Sequence, residues 1–286
     1  MLNTDITDIV SGAANYNHNH ENLKYPILPF SKTNDISSKN CITPKLVEQT
    51  ALEKKIIPER YIRNLNTITI EQQLKLLRSK VFIIGVGGLG GSVLENLSRI
   101  GVGIIIIVDG DQFSPGNLNR QKFCFENNIG KKKVKEAITQ AQNINSAIEL
   151  YGVDTFITRD NIGDIIKSPD MIIDCLDNIS TRFILSEYAS TNHVPVISAA
   201  ISGNTGHLMV IDPSDRTLHA IYGNPEEVHS TGNETTLGCL AHTVNLMAAL
   251  QSSEAVKVLL NTGNIMKKKL LVIDLLENSF ETLFLS

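Results

Sequence analysis

The sequence predicts an α/β fold built on a doubly wound, mostly parallel sheet, with a C-terminal antiparallel hairpin at one edge. Three observations predict it. Short apolar segments alternate with amphipathic ones over residues 81–261, the apolar segments show no polar face, and a glycine-rich turn follows the first of them. Strands that are apolar on both faces are typical of parallel sheets covered by helices on both sides.

The individual elements follow from the same patterns. Apolar runs predict strands at 81–86, 104–109, 148–153, 171–175, 194–198 and 207–211, and amphipathic segments predict helices at 89–100, 130–145, 179–192 and 239–261. The last stretch, KKLLVIDLLENSFETLFLS, predicts two strands around a turn at 277–279,.

Residues 1–58 are interpreted as an N-terminal extension, and residues 59–286 as a single domain with a crossover loop at about 212–240. The first 42 residues or so are rich in Asn, Ser, Thr and His and show little periodicity, which predicts a flexible, loosely attached segment,. His18 and His20 have no third ligand at usable spacing, so a polar tail is favoured over a metal site. A short helix is predicted near 43–54.

Composition excludes several classes of protein. The net charge of −4 leaves no broad basic excess for a nucleic-acid partner,. The four cysteines are far apart and form no C-x-x-C pair, which disfavours a disulfide framework or a zinc site of paired cysteines,. The longest apolar run is too short for a membrane span, and no signal pattern opens the chain, so we expect a cytoplasmic protein,.

The turn after the first strand, GVGGLGG, indicates a nucleotide site. Gly85, Gly87 and Gly90 satisfy G-x-G-x-x-G, and Asp109 ends the next strand, which together form the Rossmann-like dinucleotide fingerprint,. The same loop nearly forms a triphosphate-binding motif, except that Gly91 stands in the lysine position. The loop alone therefore leaves NAD and ATP open, and on its own it favours NAD.

Polar residues after the next strands shift the interpretation to ATP. Two acids, Asp109 and Asp111, are followed by Asn117, Arg120 and Gln121, then by Lys133 at a helix start, and strand 171–175 leads into Asp177 and Asn178. Two unit charges 4 Å apart repel by about 4 kcal/mol at an effective dielectric near 20, so a triphosphate approached by a second anion requires cations. Taken singly, each of these residues also has an ordinary role, such as a surface charge or a helix cap.

These motifs resemble the ThiF/MoeB/HesA family, the prokaryotic relatives of ubiquitin-activating enzymes. The motifs are GVGGLGG, VDGD, NLNRQ, GKKKVK and DCLDN in that order, and ERYIRN is similar to the family's entry motif. The resemblance runs from about residue 59 to 286.

The resemblance implies a role for each matching residue. The loop with Gly85, Gly87, Gly88 and Gly90 approaches the nucleotide, and Asp109, near Asp111, holds the ribose. The phosphate contacts would be Asn117, Arg120, Gln121 and Lys133, with Asp177, next to Asn178, holding Mg²⁺. Arg63 would act in trans across a homodimer.

The implied reaction is the adenylation of a carboxylate by ATP with Mg²⁺. The usual substrate is the C-terminal Gly-Gly of a ubiquitin-like sulfur carrier protein, in thiamine, molybdopterin, tungstopterin or related sulfur metabolism. The carboxylate attacks the α-phosphorus and pyrophosphate leaves.

The sequence departs from the family in two places. The cysteine pairs that bind structural zinc in many members are absent, so no zinc is expected. A loop cysteine of some members corresponds to Glu234, and Cys239, five residues later, is a candidate reactive thiol whose alternative is a small buried helix residue,. The histidines at 207, 219, 229 and 242 are interpreted as ordinary polar residues.

Three other functions remain open at this point. One keeps adenylation but uses another carboxylate, on a peptide, a small acid or a modified tRNA base. Another is a binding subunit without catalysis, disfavoured because every cation and acid that the chemistry needs is present. The last is an NAD oxidoreductase, disfavoured because no hydride-site pattern follows the fingerprint.

Overall fold

The protein is described from a computed structural model, which gives residues 5–15, 25–213, 217–224 and 237–285. The N-terminal part contains helix α1 (Ile6–Ala13), strand β1 (Ile27–Leu28), helices α2 (Phe30–Asn40) and α3 (Pro44–Glu53), and strand β2 (Ile57–Pro58). The two short strands pair in parallel. The predicted helix near 43–54 is present as α3.

The described part of the extension is folded, which differs from the prediction of a flexible, loosely attached segment. Val10, Ile36, Val47 and Ala51 bury one face of each helix in a small shared core. Individual helix propensities in α2 are weak, and burial of these apolar side chains outweighs them. Two caps start the helices: Asp5 accepts a hydrogen bond from Thr7 N at 3.1 Å, and Thr43 from Leu46 N at 3.2 Å,.

The main domain continues the alternation of helices and strands. Its helices are α4 (Ile70–Arg78), α5 (Gly88–Ile100), α6 (Lys133–Ile144), α7 (Ile162–Ile165), α8 (Ile179–Asn192), α9 (Thr217–Tyr222) and α10 (Ala241–Leu260). Its strands are β3 (Lys80–Ile84), β4 (Ile104–Val108), β5 (Glu149–Val153), β6 (Met171–Asp174), β7 (Val196–Ser202), β8 (Thr205–Ile211), β9 (Lys269–Asp274) and β10 (Ser279–Phe284). The helices and strands predicted for this domain are all present, with shifted ends, whereas the short helices α7 and α9 were not predicted.

The eight strands β3–β10 form one sheet in the order β10-β9-β8-β7-β6-β3-β4-β5. The five strands from β7 to β5 are parallel, and β8, β9 and β10 add antiparallel strands at the other edge. The mostly parallel doubly wound fold with a closing hairpin is therefore confirmed.

Alternate residues of the central strands face two different cores. Val81 and Ile83 pack with α4, α5, α6 and α10, whereas Phe82 and Ile84 pack with α7, α8 and α9. This explains why the strands have no polar face: both sides of the sheet are covered by helices. It also leaves the carboxyl ends of the strands as the place where polar loops meet.

Candidate nucleotide site

A cavity of about 620 Å³ lies at the carboxyl ends of β3, β4 and β6. It is lined by most of the residues that the sequence singled out: Gly85, Gly87, Gly88, Asp109, Asp111, Arg120, Gln121, Lys133, Asp177, Asn178 and Cys239. Segments that are far apart in sequence meet here because parallel strands bring their carboxyl ends to one edge.

The glycines of the loop serve its own folding as well as access to the cavity. Gly85 has φ +88°, and a Cβ at Gly90 would lie 1.9 Å from the carbonyl oxygen of Gly85. Only glycine fits that second position, because any side chain would collide with the backbone of the turn. Gly90 does not line the cavity, so its contribution is the sharp turn that brings Gly87 and Gly88 to the surface of the site.

Asp109 fixes the loop with both carboxylate oxygens. Oδ2 accepts a hydrogen bond from Val86 N at 2.7 Å, and Oδ1 accepts one from Asp111 N at 2.8 Å. The carboxylate thus joins the end of β4 to the glycine turn. Its role as a ribose ligand stays a prediction.

The two cations predicted from sequence both reach the cavity, and each is held by neighbours. Lys133, only 6% exposed, places its Nζ 2.9 Å from Oδ2 of Asp111, whose side chain is 56% exposed. Arg120 donates from Nη1 to the carbonyl of Gly116 and to Oδ1 of Asn119, both at 2.9 Å. The positive charges are therefore fixed at the cavity wall rather than free in solvent.

Gln121 is a buried polar group with an unsatisfied acceptor. The residue is 7% exposed, and its Oε1 has no hydrogen-bond partner among the residues that the structure describes. A Cβ at Gly87 would lie 3.4 Å from its Nε2. A buried amide oxygen without a partner is costly unless a ligand or water donates to it, which fits a ligand site.

The structure separates the roles of Asp177 and Asn178. Asn178 is the N-cap of α8, where its Oδ1 accepts from Thr181 N at 3.0 Å. The sequence left open whether Asp177 makes this cap, and the neighbouring residue does so instead. Asp177 is exposed and lines the cavity, so its carboxylate is available to a ligand.

An ion pair that the sequence analysis did not identify lies beneath this loop. Arg182, 3% exposed, places Nη1 3.4 Å from Oδ2 of the buried Asp174 and 3.2 Å from Ser198 Oγ. Its Nη2 donates to the carbonyls of Leu176 and Ala199. Arg182 therefore ties the loop that carries Asp177 to strand β7. The available signal was an arginine among apolar residues in α8.

The two central cysteines have different surroundings. Burial, together with the charge of Asp174, raises the pKa of the Cys175 thiol well above its ordinary value, and its Sγ lies 3.5 Å from Gln251 Oε1. Cys175 directly follows strand β6 and also lines the cavity, and its raised pKa opposes formation of the thiolate,. Cys239 lines the cavity just before α10, and its carbonyl accepts from Asn119 Nδ2 at 3.0 Å. Its reactivity stays a prediction.

The histidines that the structure describes lie apart from this cavity lining. His207 is hydrogen-bonded to Tyr222 Oη at 2.9 Å, and burial with the nearby charge of Arg182 lowers its pKa from 6.5 to about 4. His219 packs edge-on against Phe183, and His242 lies 3.3 Å from Asn204 Oδ1. The predictions on His18, His20, His229 and Glu234 fall outside the described residues.

Two further predicted site residues lie outside the cavity lining. Asn117 accepts a hydrogen bond from Ser114 N at 3.0 Å, which stabilises the turn that presents Arg120 and Gln121. Arg63 is exposed in the short 3-10 helix at 59–64 and does not reach the cavity of its own chain. Their contacts with ATP stay predictions.

The described residues do not form a preorganised metal site of protein ligands alone. Within the part of the chain that the structure describes, no group of three or more His, Cys, Asp or Glu side chains is placed to hold a metal ion. The expectation of no zinc stays a prediction. The same residues include no helix that is both long and apolar enough to cross a membrane.

Comparison with known proteins relates this chain to one family. The ThiF family model matches residues 60–286. The "SAMP-activating enzyme E1" of Haloferax volcanii is 26% identical over 226 residues, which cover 78% of this chain and 84% of that protein. "Adenylyltransferase and sulfurtransferase uba4" of Emericella nidulans is 36% identical over 68% of this chain, and the MOCS3 protein of Culex quinquefasciatus is 33% identical over 86%.

The lengths of these relatives differ. The chain spans 42% of the Emericella protein and 55% of the Culex protein.

Among solved structures, E. coli MccB with AMPCPP and MccA superposes with a TM-score of 0.68 at 21% identity, covering 80% of this chain and 72% of MccB. MccB with ATP gives a TM-score of 0.66 at 21% identity, with the same coverage. At this identity the likeness supports the fold.

Proposed function

The chain belongs to the ThiF family, and from that premise we propose that it is an ATP-dependent adenylyltransferase that activates a carboxylate and releases pyrophosphate. The observation that carries the proposal is the cavity itself. Arg120, Lys133 and Asp177 line it together with the glycine turn, and Gln121 presents a buried acceptor without a partner.

The residues fit the charge of a triphosphate. Lys133 is buried and its counter-ion Asp111 is largely solvated, so a phosphate oxygen can take over the pairing while Asp111 remains hydrated. Arg120 supplies a second fixed cation at the same cavity. Preorganised cations lower the barrier by stabilising charge on the phosphates as the carboxylate approaches.

In this reaction the protein positions groups and forms no covalent bond. A carboxylate oxygen of the acceptor bonds to the α-phosphorus as the bond to the bridging oxygen breaks, and that oxygen leaves with pyrophosphate. The product is an acyl adenylate, ready for a sulfur nucleophile. Asp109 would hold the nucleotide's ribose, and Arg120 and Lys133 would offset the negative charges of both partners.

Asp177 is the proposed protein ligand for Mg²⁺. Magnesium sites on nucleotides use one or two carboxylates together with phosphate oxygens and waters, so one exposed carboxylate beside the cavity is sufficient. Bound there, Mg²⁺ would neutralise phosphate charge. The chain's own contribution is to hold Asp177 in place, through the Asn178 cap on one side and Arg182 on the other.

The proposed acceptor is the C-terminal Gly-Gly carboxylate of a ubiquitin-like sulfur carrier, serving sulfur transfer in thiamine, molybdopterin, tungstopterin or related pathways. The names of the Haloferax, Emericella and Culex relatives support an activating enzyme of this kind. A peptide carboxylate is the second candidate, supported by the solved complex of MccB with MccA. We also propose a cytoplasmic homodimer, with Arg63 of each protomer reaching the partner's nucleotide.

The test is ATP–pyrophosphate exchange with candidate carriers and peptides, read together with intact mass. Asp177→Ala should lower the exchange rate at least about 100-fold, the loss expected for a main electrostatic contact of the transition state. Asp164→Ala removes an exposed carboxylate of α7 outside the cavity and serves as the control. Undiminished exchange in Asp177→Ala would contradict the magnesium assignment, and no exchange with any carboxylate would contradict the proposed activity.

A further inference from the structure

Phe156 is an apolar side chain in an unusual place. It lines the cavity, yet 61% of its surface is exposed, while the next residue, Ile157, is buried in the core. Leaving an aromatic ring in water at the mouth of a polar site forgoes the free energy of burial. A ligand that covers the ring would recover it.

The ring lies against the backbone of the DGD motif. A Cβ built on Gly110 would be 2.7 Å from both Cδ2 and Cε2 of Phe156, so a side chain at that position would displace the ring. Gly110 is flanked by Asp109, the proposed ribose ligand, and by Asp111. The ring is therefore adjacent to the place where the sugar of a nucleotide would be held.

Hydrogen bonds fix the backbone that carries the ring. The carbonyl of Phe156 accepts from Asn161 Nδ2 at 2.9 Å, and Asn161 Oδ1 accepts from Thr158 N at 2.8 Å. On the other side, Thr155 N donates to the carbonyl of Val153 at 3.0 Å. The loop after β5 thus presents Phe156 from a preorganised turn, which reduces the entropy lost on binding.

The same cavity lining contains other apolar side chains. Val108 and Ile84 end their strands there, and Leu176 and Ile157 also line the cavity. Purine rings bind to apolar and aromatic surfaces, whereas phosphates need the cations supplied by Arg120 and Lys133. We propose that Phe156 stacks on the adenine ring of ATP and sets the affinity for the nucleoside part, an inference that rests on the proposed function.

The test compares ATP with inorganic tripolyphosphate, which carries the same kind of phosphate chain without a nucleoside. Dissociation constants are measured by calorimetry, without any acceptor, for the parent, Phe156→Ala and Phe156→Tyr. Alanine should weaken ATP binding by about 5- to 150-fold, the ratio that corresponds to stacking on one base. Tyrosine keeps the ring and should bind ATP like the parent, and tripolyphosphate should bind all three proteins equally.

The control is Phe125→Ala, which removes an exposed phenyl ring outside the cavity lining and should leave ATP binding unchanged. An ATP affinity unchanged in Phe156→Ala would overturn the inference, as would an equal loss for tripolyphosphate, which would indicate disturbed phosphate contacts. If Phe156→Ala instead raised only the KM for the acceptor, the ring would belong to the acceptor path and the inference would be wrong. A parent that binds ATP but exchanges no pyrophosphate would contradict the proposed function while leaving this inference in place.

Discussion

Replacing Arg182 by methionine tests whether the buried ion pair beneath the Asp177 loop holds the site together. In the parent, the guanidinium faces the carboxylate of Asp174 and donates to the carbonyls of Leu176 and Ala199. Methionine occupies part of the same volume but carries neither charge nor donors. The carboxylate of Asp174, 1% exposed, would then be buried without its counter-ion.

The magnitude follows from the burial of both partners. Removing one member of a buried ion pair costs about 3–5 kcal/mol, because the remaining charge is uncompensated. Against a total stability of about 5–15 kcal/mol, the variant should fold but with a much lower free energy of unfolding. Adding Asp174→Asn removes the stranded charge and keeps an oxygen that can accept from Leu176 N, so the double variant should recover about 1–3 kcal/mol.

The measurement is urea unfolding followed by circular dichroism for the parent, both single variants and the double variant. Arg159→Met is the matched control, since its pair with Glu187 is exposed and should be worth less than about 1 kcal/mol,. A loss below about 1 kcal/mol in Arg182→Met, or costs that simply add in the double variant, would refute the reasoning. Pyrophosphate exchange in the double variant should need more Mg²⁺ than in the parent, because the loop has lost its tie to β7.

Two further predictions concern pH and the cavity thiol. Burial raises the pKa of Glu48 from 4.5 to about 7, although the nearby charge of Arg60 acts to lower it. The contribution of Glu48 to stability therefore falls as the pH rises from 4.5 to about 7,. For His207 the folded-state pKa is the lower one, about 4, and its contribution rises with pH up to 6.5. Glu48→Gln should therefore increase the rise in the free energy of unfolding between pH 4.5 and 6.5 by about 2 kcal/mol relative to the parent. His207→Gln should decrease that rise by a similar amount. Plots of unfolding free energy against pH that run parallel to the parent's would contradict both pKa shifts. Cys239→Ala should leave ATP–pyrophosphate exchange intact, and a large loss would show that the thiol takes part in adenylation.

Local sequence patterns predicted the strands, the main helices and the charged residues of the cavity lining other than Arg182. The β-branched run at Ile104–Val108 has a high strand propensity, and the residue after a strand lies at the carboxyl edge of the sheet,. Asp109, Lys133 and Asp177 could therefore be predicted to meet without knowing the strand order. The order itself depends on pairings between distant residues, such as Ile84 with both Val108 and Asp174, which no local pattern records.

Helix α2 and residue Phe156 show what local patterns miss. The segment FSKTNDISSKN has weak helix propensity, and it forms a helix because Thr33 and Ile36 are buried against neighbouring helices. Phe156 follows β5 in a polar stretch and reads as an ordinary loop residue. The proposed role of Phe156 depends on its contact with Gly110, which lies 46 positions earlier in the chain. That contact is visible only in the folded structure.

The position of Arg182 also changes how the acidic loop is understood. From sequence, DCLDN offers two carboxylates, and only Asp177 was assigned a role. In the structure, Asp174 is the buried partner of Arg182. Asp177 is then the carboxylate of this motif that is exposed and lines the cavity. Because the arginine neutralises the first acid, the second can attract a cation without an adjacent unpaired charge in the core. The pairing thus gives two acids three residues apart different functions, one holding the loop and one facing the nucleotide.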